Sequence, residues 1–126
     1  MLKLPSLADC SAPPGVRIFL CVQATDMRRG FDTLAQQAQS LCCQDPCSGH
    51  LFLFRSRGGD RLKILYWDRD GYCLWYKRLE EGTFRFPRTE PGQAHLEIAA
   101  SELAMLLEGI DLRSVKKLPR YQRQES

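Results

Sequence analysis

The stretch LFLFRSRGGDRLKILYWDRDGYCLWYKRL, residues 51–79, decides the fold. Gly58-Gly59 and Asp70-Gly71 are pairs of the kind that close β-hairpins, and the segments between them are rich in aliphatic and aromatic residues. They predict three strands over 51–57, 61–67 and 72–79, joined as an antiparallel meander. If both hairpin loops hold an even number of residues, cross-strand partners share a face and side chains sort by parity. Leu51, Leu53, Leu62, Ile64, Tyr66, Cys73, Trp75 and Leu79 then make a core face. His50, Phe52, Phe54, Arg61, Lys63, Trp67, Tyr72, Tyr76 and Arg78 make the other.

Working outward, VRIFLCV at 16–22 is a short apolar run that predicts a first strand. Thr25 or Asp26 is positioned to cap a helix whose apolar residues Phe31, Leu34, Ala35, Ala38 and Leu41 recur at three and four. Asp45, Pro46, Ser48 and Gly49 end it. After the meander, FRFP at 84–87 predicts a short further strand that Pro87 stops, and 95–98 looks extended. Ser101 is placed to cap a last helix with Leu103, Leu106, Leu107 and Ile110 on one side. The expected architecture is one α+β domain over 16–112, a twisted antiparallel meander with flanking helices, between a Pro-rich and Ser-rich arm (1–15) and a basic tail (113–126).

A chain of 126 residues with 44% hydrophobic and 26% charged residues has the size and composition of one globular domain. No apolar run approaches the roughly 20 residues of a membrane helix, and no segment reads as an export signal, so the cytoplasm is the expected location. The net charge of +3 is unevenly spread. Residues 55–88 hold nine bases against five acids, 89–112 hold five acids and no base, and 113–126 hold five bases and one acid. A basic middle beside an acidic segment suits one anionic partner and one protein partner; ordinary solvated charge gives the same pattern.

On the second face of the meander, bases stand among aromatic rings. Cations meet phosphates and flat rings stack on bases, so this mixture is what a nucleic-acid surface requires. The expected contacts are Arg55, Arg57, Arg61, Lys63, Lys77, Arg78 and the tail bases, with Trp67 and Tyr76 packing beside them. The competing reading is that the aromatics pack under the helices while the bases reach past them to water. Arg28 and Arg29 near a helix start oppose the helix dipole, a small cost unless an anion or acidic partner is nearby.

Other chemistry is thinly supported. Cys42, Cys43, Cys47 and His50 have no second paired knuckle downstream, so free thiols are expected and neither metal nor cofactor. Asp60, Asp68 and Asp70 are the only clustered acids of the middle, but they stand where turns need Asp. His50, which follows a Ser-Gly loop, reads as a hydrogen-bonded structural imidazole. Gly58 and Gly59 lie between two strands, not between a strand and a helix where phosphate-cradling loops occur.

TDMRRGFDTLAQQAQ (25–39), DPCSGHLFLFRSRGGDRLKILYWDRDGYCLWYKRLEEGTFRFP (45–87) and LAMLLEGIDLR (103–113) resemble the Orf-two, or TnpB-type, accessory proteins of the insertion sequence sixty-six family of bacterial transposable elements. The likeness runs from about residue 16 to 113. It rests on Thr25, Asp26, Met27, Arg28, Gly30, Phe31 and Asp32, on Ser48, Gly49 and His50, and on Asp60, Arg61, Lys63, Trp67, Asp68, Gly71, Tyr76, Lys77 and Arg78. Cys42, Cys43, Cys47 and the N-terminal arm depart from the pattern. This family is distinct from the RNA-guided nucleases that share the TnpB label. The resemblance implies a small protein encoded beside a larger acidic-triad transposase and needed with it for transposition. The expectation is therefore a non-catalytic accessory factor whose partners are element DNA, the transposase, or both. The alternative is a protein adaptor that meets a basic transposase surface through its acidic segment from Glu90 to Asp111, where charge reversal at Glu102 and Glu108 should weaken the contact. A metal-dependent nuclease built on Asp60, Asp68 and Asp70 ranks last.

Overall fold

β1 (Ile18–Cys21), β2 (Leu51–Arg55), β3 (Arg61–Asp68), β4 (Gly71–Arg78) and β5 (His95–Ile98) form one sheet in the order β4-β3-β2-β1-β5, with α1 (Phe31–Cys42) and α2 (Ala100–Glu108) beside it. This computed structural model describes residues 15–108. The arm, the basic tail and Ile110 lie outside the described residues. The α+β class and the β2-β3-β4 meander are as expected. The sheet as a whole is mixed, because β1 pairs with β2 in parallel and with β5 antiparallel. A parallel neighbour needs a long crossover, and the residues between β1 and β2, α1 included, provide it.

Register settles the parity argument. Arg55 faces Leu62 across one hairpin and Asp68 faces Gly71 across the other, so both loops hold an even number of residues. One face packs Leu51, Leu53, Leu62, Ile64 and Tyr66, with Ile18 and Leu20, against Leu103 and Leu106 of α2 and Phe84. The opposite face packs Phe19, Cys21, Phe52, Phe54 and Leu65 against Leu34, Ala35, Ala38 and Cys42 of α1. Phe52 and Phe54 are therefore core residues with no exposure, under the helix rather than at a surface. α1 crosses this face from β3 to the β5 edge: Arg29, just before it, accepts from Lys63, while near its end Leu41 is bonded through its carbonyl to His95.

Four local expectations change. Neither Thr25 nor Asp26 caps α1, because both side chains are bonded elsewhere; Gly30 takes the N-cap without a side-chain bond, and Phe31 stays 48% exposed. FRFP forms no strand: Phe84 gives one backbone bond to the Gly59 carbonyl and buries its ring, and Pro87 has no N–H to extend a ladder. The second turn is Arg69-Asp70, with Gly71 already in β4 and Arg69 at φ 57°. Ser101 lies inside α2, whose start is closed by Glu102 accepting the Ala99 N–H at 2.7 Å, the return half of a capping box.

Candidate nucleic-acid interface

At the carboxyl ends of the parallel strands β1 and β2, two loops face each other. Residues 24–28 follow β1 and residues 56–61 form the β2-β3 hairpin; between them lies a groove of about 560 Å³. Thr25, Asp26, Arg28, Ser56, Arg57, Asp60 and Arg61 line it. The crevice beyond the carboxyl ends of parallel strands is a general binding position in sheets with crossover helices, since the chain leaves the strands there as loops.

The first loop is fixed from three sides. The Thr25 N–H donates to the Arg55 carbonyl at 2.8 Å, and its hydroxyl accepts from Gln37 Nε2 of α1 at 2.7 Å. Asp26 accepts the Arg28 N–H at 2.9 Å and grips the Arg28 guanidinium at 2.7 Å, which holds the Asp26 carboxyl well below the usual carboxylate range. Arg29 donates to Gln37 Oε1 at 2.8 Å. From below, Lys63 donates to the carbonyls of Met27 (2.6 Å) and Arg29 (2.9 Å), with its ammonium 4.8 Å from the centre of the Tyr76 ring. Burial lowers the Lys63 pKa, and Asp26 partly offsets this.

The hairpin is equally constrained. Ser56 Oγ donates to Asp60 Oδ1 at 3.2 Å and accepts the Arg61 N–H at 3.0 Å. Gly59 sits at φ 77°, a conformation that suits glycine, and its carbonyl accepts the Phe84 N–H. Asp60 accepts the Leu79 N–H through its carbonyl. Three arginines and two carboxylates thus belong to the groove lining, a net charge of one positive unit. Asp26 is engaged by Arg28, and Asp60 by Ser56. Among the described residues, the side chains of Arg57 and Arg61 make no hydrogen bond or ion pair, so they are the free cations of the groove.

The other expected contacts distribute differently. Lys63 is 7% exposed and committed to two carbonyls, so it positions the loop and does not face solvent as a phosphate contact would. Arg55 donates to the Val22 carbonyl at 2.9 Å and lies over the Phe86 ring, on the α2 face. Lys77 pairs in register with Leu62 and so also belongs to that face, where it is exposed. Arg78 stands opposite Arg61 and pairs with Glu80 at 3.1 Å. Tyr76 is 48% exposed. Trp67 meets Tyr72 edge-on at 5.0 Å at the other end of β3, roughly 20 Å from the groove at about 3.4 Å per residue.

The residues carrying the family likeness divide in the same way. Thr25, Asp26, Arg28, Asp60 and Arg61 meet at the groove. Gly49, His50, Trp67, Asp68 and Gly71 lie at the opposite end of the sheet. There His50 Nδ1 accepts the Arg17 N–H at 3.0 Å beside the Phe19 ring, and burial and the Arg17 charge depress its pKa. Asp60 immediately precedes β3 and Asp68 ends it, about 25 Å apart at the usual rise, so the three acids do not converge on one ion.

The cysteines are scattered too. Cys42 Sγ lies 3.6 Å from Cys21 Sγ in the core, Cys43 is exposed, and Cys47 Sγ contacts the Tyr72 hydroxyl at 3.4 Å. Among the described residues no group of three or more His, Cys, Asp or Glu is placed to hold a metal ion, and no helix is long and apolar enough to cross a membrane.

Arg28 and the 24–28 loop were flagged by sequence for their charge near a helix start; that they face Arg57 and Arg61 was not foreseen. The missing step is the parallel pairing of β1 with β2. The strand-helix-strand order of 16–54 carried that signal.

Comparison with known proteins agrees with the likeness in the sequence. A family model described as IS66 Orf2 like protein matches residues 16–117. Two relatives from Sinorhizobium fredii (strain NBRC 101917 / NGR234) are similar over most of their length. Uncharacterized protein y4hO is 42% identical over 98 residues, 78% of this chain and 84% of the relative. Uncharacterized protein y4jC is 38% identical over 105 residues, 83% of this chain and 88% of the relative. No solved structure matches.

Proposed function

This chain belongs to the IS66 Orf2-like family, and from that premise we propose that it serves transposition of a bacterial insertion sequence as a non-catalytic factor that holds element DNA by its phosphates in the groove between residues 24–28 and 56–61. Membership of the family supports a transposition-associated accessory role, and the groove supports the DNA contact. The observation that carries it is the pair of unneutralised guanidinium groups of Arg57 and Arg61 beside a groove whose two carboxylates are already bonded.

Arginine suits this task because its planar fork matches two phosphate oxygens. Arg78, one strand over from Arg61, is paired with Glu80 and adds no free cation to the groove. The side chains here are of the kind that contact backbone, with few groups for reading base edges, so affinity with modest sequence preference is expected from the protein alone.

The experiment is fluorescence anisotropy of labelled element-end DNA and unrelated duplex, titrated with the full chain at several salt concentrations, with the transposase absent and then present. Binding by the chain alone, with a steep salt slope that Arg57→Ala/Arg61→Ala flattens, supports the reading. Binding that needs the transposase replaces it with the adaptor reading, and binding by the chain alone that the double variant leaves unchanged moves the DNA contact out of this groove.

A further inference from the structure

Sheet order leaves two edges, β4 and β5, and β4 is the long one. Its eight residues pair with β3 in continuous register without a bulge. Apart from those β3 bonds, no backbone group of Gly71–Arg78 has a hydrogen-bond partner among the described residues. Sheet proteins usually blunt such an edge with proline, a central charge or a bulge. The centre of β4, YCLWY at 72–76, has none of these.

The direction of the free bonds follows from the hairpin. Asp68 and Gly71 close a two-residue loop, and the pair flanking such a loop is hydrogen-bonded. Alternation then directs the backbone groups of Gly71, Cys73, Trp75 and Lys77 toward β3. Those of Tyr72, Leu74, Tyr76 and Arg78 point outward.

We propose that β4 pairs antiparallel with β4 of a second copy of this chain, about a two-fold axis at Leu74. In that register Leu74 faces Leu74 and Tyr72 faces Tyr76, and Asp70, in the turn just beyond the strand of one copy, comes to the end of the edge where Arg78 of the other lies. Each outward backbone group meets an outward group. Asp70 and Arg78 are equally spaced about Leu74, so the edge is complementary in charge to itself when reversed. Shifting the axis to Trp75 sets Asp70 opposite Glu80, two like charges, and shifting it to Cys73 sets it opposite Tyr76. Arg78 contacts Glu80 at 3.1 Å in the single chain, through an exposed ion pair that exchanges readily for one across the axis. The sheet becomes ten-stranded with a groove in each half. This inference stands independently of the DNA reading.

The test uses the full chain in analytical ultracentrifugation, as wild type, as Asp70→Arg, as Arg78→Asp, and as an equimolar mixture of the two variants. Each single reversal puts like charges at both symmetry-related contacts and should raise the dimer dissociation constant about tenfold or more. The mixture restores both attractions in the heterodimer and should regain wild-type affinity. Hydrogen exchange on the wild type supplies a readout that needs no variant. Amides of Tyr72, Leu74 and Tyr76 should be protected at high concentration and exchange faster on dilution, while those of Cys73, Trp75 and Lys77 stay protected throughout. A wild type that remains monomeric at its solubility limit overturns the proposal. So do a dimer indifferent to both reversals and edge protection independent of concentration, which would mark a different interface or cover from within the chain.

Discussion

The Lys63 ammonium donates to the Met27 carbonyl at 2.6 Å, and so ties the loop after β1 to the middle of the sheet. With the Arg29 carbonyl as second acceptor, this lysine acts as a strut for the loop that carries Arg28. Replacing it by methionine keeps the apolar stem and removes both bonds. Lys63→Met should cost about 2 kcal/mol, the scale of a charged hydrogen bond with a buried partner. It should also weaken DNA binding without lowering the salt slope, because the lysine is not itself a phosphate contact. Urea melts and salt-dependent anisotropy check the two halves separately.

Arg57 and Arg61 should behave in the opposite way. Both have unpaired side chains at the groove, so Arg57→Ala/Arg61→Ala should leave the melting temperature nearly unchanged. The slope of log affinity against log salt should fall by about 0.9 for each phosphate contact removed. Arg55→Ala, by contrast, should destabilise the fold, since it breaks the bond to the Val22 carbonyl and the stacking on Phe86.

His50 makes stability depend on pH. Its folded pKa is depressed, chiefly by burial and then by Arg17, so the folded state binds fewer protons than the unfolded chain near the ordinary histidine value of 6.5. Stability is therefore fully present above that value and lost as pH falls from it through the depressed folded pKa. Nδ1 accepts the Arg17 N–H, an arrangement that a neutral ring permits and a protonated one does not. His50→Asn offers a carbonyl oxygen in its place, and thermal melts across this range should show a smaller pH dependence in the variant than in the wild type.

Phe54 tests the placement of the second core. It has no exposure and packs under α1 in the cluster with Leu34 and Ala38. Phe54→Ala should cost about 3–5 kcal/mol by chemical denaturation, as for a large ring deleted from a core. A ring that stacked on nucleic acid would instead be nearly neutral for stability.

The two faces of the meander were legible because parity is strict once the loops are even, and Gly58-Gly59 with Asp70-Gly71 signalled those loops. The burial of Phe52 and Phe54 bears out the competing reading, in which the aromatics pack under the helices; parity alone assigns a face and says nothing about what covers it. The helix start was misplaced for a related reason: Thr25 and Asp26 have cap chemistry, but Gln37, twelve residues on from Thr25, and the guanidinium of Arg28 claim those oxygens first. The groove needed knowledge of a neighbour. Arg28 and Arg61 are far apart in sequence and meet only because β1 runs parallel to β2.

The most direct test of the central claim is amide chemical-shift mapping of the full chain on addition of an element-end duplex. Perturbations concentrated at residues 24–28 and 56–61, weakened by salt and absent from Arg57→Ala/Arg61→Ala, are the predicted result. Shifts confined to α2 and β5, or none at DNA concentrations that saturate binding, would contradict a phosphate-holding groove.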